Sequence, residues 1–209
     1  NQMLKLANFI IFFILCFVPP IGHAQNQTVA SYSLAKQHLK VIHSPSSKTF
    51  YCNCTYADGK PDWTSCKFKP GTNYRRAERI EWEHVVPASK FGVNFNSWNA
   101  GHKNCKDKNG KSYKGRKCAS KTSDAYKFIE ADLYNLQPVI GEVNGARRNY
   151  PFGLVEGEQF SFGECDIEIV NQIVEPPVNV RGDIARTYLY MDAAYPNQNI
   201  LDPNASRIM

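Results

Sequence analysis

The chain lacks internal repeats and long low-complexity segments, and it has fewer acidic residues (19) than lysines and arginines (25). The missing repeats exclude a solenoid or a propeller, because these folds are built from repeated units. With 209 residues, the chain is long enough for one domain with a hydrophobic core and short for two. A single domain is therefore expected.

Long apolar runs are also scarce. The clearest one covers residues 3–24, MLKLANFIIFFILCFVPPIGHA, and it contains one lysine before its aliphatic and phenylalanine residues. Its apolar core is too short for a membrane anchor, and it ends in prolines and in the small residues Gly22 and Ala24. We predict that residues 1–24 are a secretory signal peptide that is removed. The domain then spans residues 25–209, which would contact no membrane.

Cysteine is present in an even number once this segment, with Cys16, is set aside. An even number in an exported chain indicates disulfides, and six cysteines allow fifteen pairings. The sequence does not choose between these pairings; our hypothesis joins Cys54 to Cys66, Cys105 to Cys118 and Cys52 to Cys165. A zinc site is the alternative. It is less favoured, because the C-x-C spacing differs from the usual C-x2-C and the compartment is oxidising.

The periodicity of apolar residues predicts both helices and strands. Helical spacing predicts helices over 28–43, behind a Ser123 cap to Leu133, from Pro138 onward, and over 184–195. Alternation predicts strands over 49–56, 79–86 and 159–170. Because helices and strands do not alternate strictly, the predicted fold class is α+β.

One stretch of residue types is unusual for a structural strand. Residues 79–92 read RIEWEHVVPASKFG, and they place Glu83 and His84 side by side. These are side chains that hold a hard cation and move a proton. Neighbours on a regular strand point to opposite faces, so we expect the strand to end or twist here. Pro87 is consistent with such an end.

Two long motifs carry a resemblance to a known family. The stretches ERIEWEHVVPASKFG and DLYNLQPVIGEVNGARRNYPFG resemble the bacterial endonuclease I family. FYCNC, GKPDWTSC, EPP and RGDIARTYLYM match in the same order, over nearly all of residues 50–195. Members are periplasmic or secreted nonspecific nucleases with a ββα-metal (His-Me) finger. The resemblance implies this finger as the core of a disulfide-stabilised domain, with Glu83, His84 and Asn144 at its functional positions.

The chemistry of phosphodiester cleavage suits these three residue types. A histidine near its ordinary pKa takes a proton from water at neutral pH, so His84 is the predicted general base. Magnesium needs few protein oxygens, so Glu83 and Asn144 are the predicted ligands, with Mn²⁺ or Ca²⁺ as possible substitutes. The resemblance further implies 5′-phosphate products.

Further residues are predicted to support the site. By resemblance, Asn135 orients the backbone that presents His84, and Arg116 reaches the scissile phosphate. Glu130 and Asp132 precede the finger helix and are expected to support the metal shell from a second layer. Taken alone, Asn144 before a glycine is more typical of a turn than of a ligand.

Basic residues are concentrated in residues 103–121, the lysine loop. It carries eight lysines and arginines against one acid, Asp107, and it includes Lys106, Lys108, Lys111 and Arg116. We predict that it binds nucleic-acid phosphates; the alternative is a solvated surface. Arg147 and Arg148 are further predicted phosphate contacts, although arginines also solvate helix ends.

The sequence is thus interpreted as a secreted or periplasmic, magnesium-dependent endonuclease that cuts DNA, and RNA as well, as a monomer. Two alternatives are a basic nucleic-acid-binding protein without catalysis and a disulfide-rich interaction module. Relatives usually continue with a tryptophan-containing basic segment, whereas this chain stops at Met209, so a truncated carboxyl terminus is one expectation. Relatives also often have an aspartate at the position of Ala146.

Overall fold

The computed structural model describes residues 25–158 and 161–201. The predicted signal peptide lies outside the described residues. The strands are β1 (Tyr56–Ala57), β2 (Lys60–Pro61), β3 (Ile80–His84), β4 (Leu136–Ile140), β5 (Glu168–Val170) and β6 (Ile173–Glu175). The helices are α1 (Tyr32–Ile42), α2 (Tyr74–Ala77), α3 (Ala88–Gly92), α4 (Asn96–Asn99), α5 (Arg116–Thr122), α6 (Asp124–Glu130), α7 (Gly141–Arg147) and α8 (Val178–Ala194). This mixture confirms the α+β prediction.

The strands pair as antiparallel neighbours: β1 with β2, β3 with β4, and β5 with β6. In the central pair, Ile80 lies opposite Ile140 and His84 lies opposite Leu136. Helix α7 follows β4 directly, so two strands and a helix form one unit, which we call the β3–β4–α7 unit. The chain between the two strands contains α3 to α6 and returns to place β4 beside β3.

The prediction that a helix begins at Pro138 is wrong, because Pro138 lies within β4 opposite Trp82. Its carbonyl oxygen accepts the Phe50 N–H at 2.7 Å, so the backbone N and C=O of Pro138 point away from β3. The missing N–H of the proline therefore costs no bond to β3. The helix begins three residues later, at Gly141.

Other helix predictions are confirmed with small shifts. The side chain of Ser31 caps α1 by accepting the Leu34 N–H, and Ser123 caps α6 by accepting the Tyr126 N–H. Helix α8 ends at Ala194, before Pro196. None of the helices within the described residues is long and apolar enough to cross a membrane.

Two strand predictions are mostly wrong. Residues 49–56 do not run as a strand, because Asn53 has φ 55° and the cysteines on either side of it are held in different disulfides. Within 159–170, only Glu168–Val170 is a strand, and Gly163 turns the chain with φ 72°. Residues 159–160 lie outside the described part of the chain.

The hypothesis on cysteine pairing is confirmed: the disulfides are Cys52–Cys165, Cys54–Cys66 and Cys105–Cys118. Cysteines that form these bridges offer no thiolate to a metal, so the zinc alternative is wrong. Cys52–Cys165 closes the longest loop, with a sequence separation of 113 residues.

The core lies on both sides of the β3–β4–α7 unit. One cluster packs Val139, Ile140 and Val143 against Ile167 and Ile184. A second packs residues from α3, α5 and α6 against the end of α8, and a third packs α1 against Trp82 and Leu136. The unit is therefore packed on several sides, which fixes the position of the side chains at the end of β3.

Candidate active site

An open cavity of about 600 Å³ lies where β3 ends. Six predicted site residues line it: Glu83 and His84 from β3, Arg116 from α5, Asn144 and Arg147 from α7, and Arg148 just after α7. These elements are distant in sequence and meet only in the fold. The structure thus brings together the predicted base, both predicted metal ligands and the predicted phosphate contact.

His84 is buried, and one of its ring nitrogens is fixed. Its Nε2 lies 2.8 Å from the backbone carbonyl oxygen of Glu130. Because a carbonyl oxygen only accepts, Nε2 carries the proton and donates, which leaves Nδ1 as the basic nitrogen of the neutral ring. The ring stacks on Tyr32 with centroids 5.3 Å apart. Burial, assisted by the charge of Arg116, lowers the pKa of His84 to about 3, so the ring is neutral at physiological pH.

Glu83 is also buried, with 3% of its surface exposed. The Tyr51 hydroxyl donates to its Oε1 at 3.3 Å, and the Arg147 guanidinium lies 3.1 Å from the same oxygen. Burial raises the pKa of Glu83 to about 7, although Arg147 acts in the opposite direction. The pairing with Arg147 therefore compensates the buried charge only in part.

Arg147 holds the end of β3 in place. Its side chain is fully buried, and it donates to the carbonyl oxygens of His84 at 2.9 Å and of Val85 at 2.8 Å. Its guanidinium also lies over the Phe152 ring, 4.6 Å from the centroid. The prediction that Arg147 contacts nucleic-acid phosphates is wrong, because burial removes this side chain from the surface.

Asn135 holds the residues that follow His84. Its Oδ1 accepts the Val86 N–H at 2.7 Å, and its Nδ2 donates to the Val86 carbonyl at 3.0 Å. Its backbone carbonyl accepts the Val85 N–H at 3.0 Å. With Arg147, these bonds stop the regular alternation of the strand just after Glu83 and His84.

Asn144 lies in the middle of α7, so the alternative that it belongs to a turn with Gly145 is wrong. Its Nδ2 donates to Glu81 Oε2 at 2.9 Å. An amide that is held by its nitrogen turns its oxygen away from the acceptor. The amide oxygen of Asn144 is therefore directed away from Glu81.

Glu81 was not predicted from the sequence. Arg76 Nε donates to its Oε1 at 2.9 Å, and Arg79 Nη2 donates to the same oxygen at 2.8 Å. Burial alone would raise the pKa of Glu81, but the hydrogen bonds from the two arginines outweigh it and lower the pKa. One sequence signal could have indicated Glu81: side chains alternate along a strand, so Glu81 lies on the same face as Glu83.

Arg116 enters the cavity from the first turn of α5. Its Nε donates to Glu130 Oε1 at 2.5 Å, and its guanidinium lies over the Tyr32 ring at 5.1 Å. Ser120 also donates to the Glu130 carboxylate. The side chain of Arg116 is 44% exposed, so one part is held and another faces solvent.

The predicted support of the metal shell by Glu130 and Asp132 stays a prediction, since their contacts go to other groups than the predicted metal ligands. Glu130 contacts His84 through its backbone and Arg116 through its carboxylate. The carboxylate of Asp132 accepts hydroxyl hydrogen bonds from Tyr190 and Tyr195 instead. These contacts involve neither Glu83 nor Asn144.

The predicted phosphate contacts are distributed unevenly. Arg148 is exposed and lines the cavity beside Asn149. Lys106, Lys108 and Lys111 are exposed in the lysine loop and are not among the described residues that line the cavity. The loop contains ordered structure, because α5 begins inside it and the Cys105–Cys118 disulfide links its two ends. Lys36, which was not predicted, also lines the cavity.

Comparison with known proteins gives a consistent result. The family model for Endonuclease I matches residues 24–205. An extracellular deoxyribonuclease of Aeromonas hydrophila is 41% identical over 182 residues, which cover 83% of this chain and 72% of the relative. Endonuclease-1 of Buchnera aphidicola subsp. Acyrthosiphon pisum is 40% identical over 83% of this chain and 66% of its own length. A periplasmic deoxyribonuclease of Aeromonas hydrophila is 41% identical, over 82% and 69%. The chain therefore belongs to the Endonuclease I family.

Proposed function

We propose that the chain is an endonuclease that hydrolyses the phosphodiester bonds of DNA without sequence preference. The observation that carries this proposal is the convergence of Glu83, His84, Asn144 and Arg116 on one open cavity. Family membership and the names of the relatives, deoxyribonucleases and endonucleases, support the same activity. The β3–β4–α7 unit would be the ββα-metal finger of this family.

The proposed base is His84. Its Nε2–H is held by the Glu130 carbonyl, so the lone pair on Nδ1 takes the proton from the attacking water. The lowered pKa keeps the ring neutral at physiological pH, and it also makes Nδ1 a weaker proton acceptor than a histidine near its ordinary pKa. Stacking on Tyr32 restricts rotation of the ring, which keeps Nδ1 in one direction.

The proposed ligands of Mg²⁺ are Glu83 and Asn144. They fit the ion, because magnesium takes one or two protein oxygens and keeps several waters, and an open polar cavity has room for these. Glu83 is also buried beside a single arginine partner, so a cation would further stabilise its carboxylate. When bound, magnesium supplies positive charge to the scissile phosphate and to the departing oxygen. Mn²⁺ and Ca²⁺ prefer oxygen ligands too and are proposed substitutes.

Arg116 is the proposed phosphate contact at the scissile bond. Glu130 and Tyr32 hold its guanidinium, so its remaining N–H groups have a fixed direction toward the cavity. Donors that are fixed before reaction stabilise the charge that develops on the phosphate. Departure of the 3′ oxygen would leave a 5′-phosphate product.

The place of action and the partners follow from the relatives and from the charge. Relatives named extracellular and periplasmic support a secreted or periplasmic enzyme, and three disulfides suit an oxidising compartment. Exposed lysines of the lysine loop and Arg148 would bind the phosphate backbone, which DNA and RNA share. Cleavage of RNA and a monomeric state are parts of this proposal.

A plasmid-nicking assay tests the proposed activity. Oxidised protein without residues 1–24 is incubated with supercoiled plasmid or with RNA, in magnesium or in EDTA. We expect nicked and then linear plasmid in magnesium only, and RNA degradation under the same condition. A gel shift without cleavage in magnesium would favour the inactive nucleic-acid-binding alternative. Neither shift nor cleavage would favour the interaction module.

A further inference from the structure

The carboxylate of Glu81 lines the same cavity as Asn144 and lies at the centre of a hydrogen-bond network that includes it. Its Oε1 accepts from Arg76 Nε at 2.9 Å, from Arg79 Nε at 3.0 Å and from Arg79 Nη2 at 2.8 Å. Its Oε2 accepts from Arg76 Nη2 at 2.5 Å and from Asn144 Nδ2 at 2.9 Å. Two arginines thus hold this carboxylate in one orientation, with one oxygen turned toward Asn144.

The amide of Asn144 has two ends of similar shape and opposite chemistry. If the amide were rotated by half a turn, its NH₂ group would face the cavity and its oxygen would face Glu81. A carboxylate accepts hydrogen bonds and repels an oxygen, so only the NH₂ end is compatible with Glu81. We propose that Glu81 is a positioning residue, which selects the amide orientation that presents the Asn144 oxygen to the metal. The inference rests on the proposed role of Asn144 as a metal ligand.

Two glycines of α7 keep this network compact. A Cβ atom at Gly141 would lie 2.6 Å from the Arg76 carbonyl oxygen and 2.9 Å from Glu81 Oε1. A Cβ atom at Gly145 would overlap the Arg76 guanidinium. Because both positions lack a side chain, the helix packs against Arg76 and Glu81. Asn144, which precedes Gly145, is thereby held within hydrogen-bond distance of the carboxylate.

Glu81→Gln tests this role, because it places a hydrogen-bond donor opposite Asn144 where the native protein has an acceptor. The Oε1 position faces three N–H groups of the arginines, and the Oε2 position faces one from Arg76 and one from Asn144. The oxygen of the introduced amide therefore favours the Oε1 position, and its NH₂ group then faces Asn144. This NH₂ group attracts the Asn144 oxygen and turns it away from the cavity.

The experiment measures Mn²⁺ binding by electron paramagnetic resonance, with oxidised protein and without nucleic acid. Glu81→Gln should weaken binding about 10- to 100-fold, as for other changes in groups that support metal ligands. Glu78→Gln removes the same charge from an exposed neighbour and should leave binding unchanged. An unchanged affinity in Glu81→Gln would overturn the inference.

The Asn144→Asp background separates positioning from a general structural role. A carboxylate offers an oxygen in either orientation, so its direction no longer depends on Glu81. In this background, Glu81→Gln should leave Mn²⁺ affinity unchanged or increase it, because it removes a neighbouring negative charge and adds a donor. An equal loss in both backgrounds, as from misfolding, would overturn the inference.

Asn144→Ala distinguishes the failure of the inference from the failure of the proposed ligands. If Asn144→Ala binds Mn²⁺ like the unmodified protein, the proposed ligand set is wrong, and the inference falls with it. If Asn144→Ala binds weakly and Glu81→Gln binds normally, only the positioning role is wrong. Weak binding by both variants, with the effect of Glu81→Gln absent in the Asn144→Asp background, is the expected result.

Discussion

The β3–β4–α7 unit and the lysine loop both carry many charged residues, but they hold these charges in different ways. In the unit, Glu83 pairs with a fully buried Arg147, and Glu81 is held by two arginines. In the lysine loop, the side chains of Lys106, Lys108 and Lys111 are exposed. Asp107, the acid of the loop, accepts from the backbone N–H groups of Asn109 and Lys111 and so shapes a turn.

The difference determines what each charge contributes. A buried charge without its partner is costly, so each group of the unit depends on the others and acts through a fixed geometry. An exposed charge is solvated with or without a partner, so the lysines of the loop contribute by their number and sign. Substitutions should therefore have large, specific effects in the unit and small, additive effects in the loop.

The largest expected effect is on turnover at the histidine of the unit. His84→Ala should lower the cleavage rate by a factor of about 10² to 10⁴, the usual contribution of a general base. Binding of DNA in a gel shift should be retained, because phosphate contacts elsewhere supply the affinity. The exposed His38 gives the matched control, and His38→Ala should cleave normally. Turnover by His84→Ala within a few-fold of normal would exclude His84 as the base.

The next effect is on stability and compares two adjacent arginines. Arg147→Met leaves the carboxylate of Glu83 buried without its partner and should lower the free energy of unfolding by about 3–5 kcal/mol. Arg148→Met changes an exposed side chain and should stay within about 0.5 kcal/mol. Urea unfolding of the oxidised proteins gives both values. Equal losses would contradict the structural role of the buried arginine.

Arg116 lies at the boundary of the two regions and should behave like the unit. Arg116→Ala should lower turnover by about 10²- to 10³-fold, as for other donors that stabilise charge in a transition state. DNA affinity should change little. Arg116→Lys keeps the positive charge but lacks the planar guanidinium that binds Glu130. Its cleavage rate should therefore lie between those of the unmodified protein and Arg116→Ala. Turnover that is unaffected in Arg116→Ala removes this residue from the site.

The smallest effect belongs to the lysine loop. Replacement of Lys106, Lys108 and Lys111 by glutamine should reduce the slope of log affinity against log salt by about one unit for each lost phosphate contact. The rate at saturating DNA should stay the same. The exposed Lys48, Lys60 and Lys69 form a control triple for net charge alone. Equal slopes for both triples would identify the loop as solvated surface.

Sequence and structure agree best where local pattern or a long motif determines the element. Alternation predicted β3, the Ser123 cap predicted the start of α6, and the motif placed Asn144 on a helix beside the predicted base. Pro138 was misassigned, because proline suits both a first helical turn and the outer edge of a strand. The sequence does not show which hydrogen-bonding edge faces a partner strand.

Contacts between distant segments account for the rest. Arginine at the end of a helix is most often exposed, so the burial of Arg147 follows only from its contacts with Glu83 and with two carbonyls 62 and 63 residues away. The link from Asn144 to Glu81 likewise spans 63 residues. Such contacts leave no periodic signal in a single sequence. The arrangement of the site was therefore less predictable than its composition.

The disulfide Cys52–Cys165 has a consequence for the order of events in the life of the chain. The residues between its two cysteines include Glu83, His84, Arg116, Asn144 and Arg147, and Cys165 is made after all of them. The bridge therefore cannot close until the whole site has been synthesised. In a chain that is exported as proposed, Cys165 also reaches the oxidising compartment after these residues. The Cys52–Cys165 disulfide of the nuclease would thus form outside the cytoplasm, away from the chromosome of the cell that makes it.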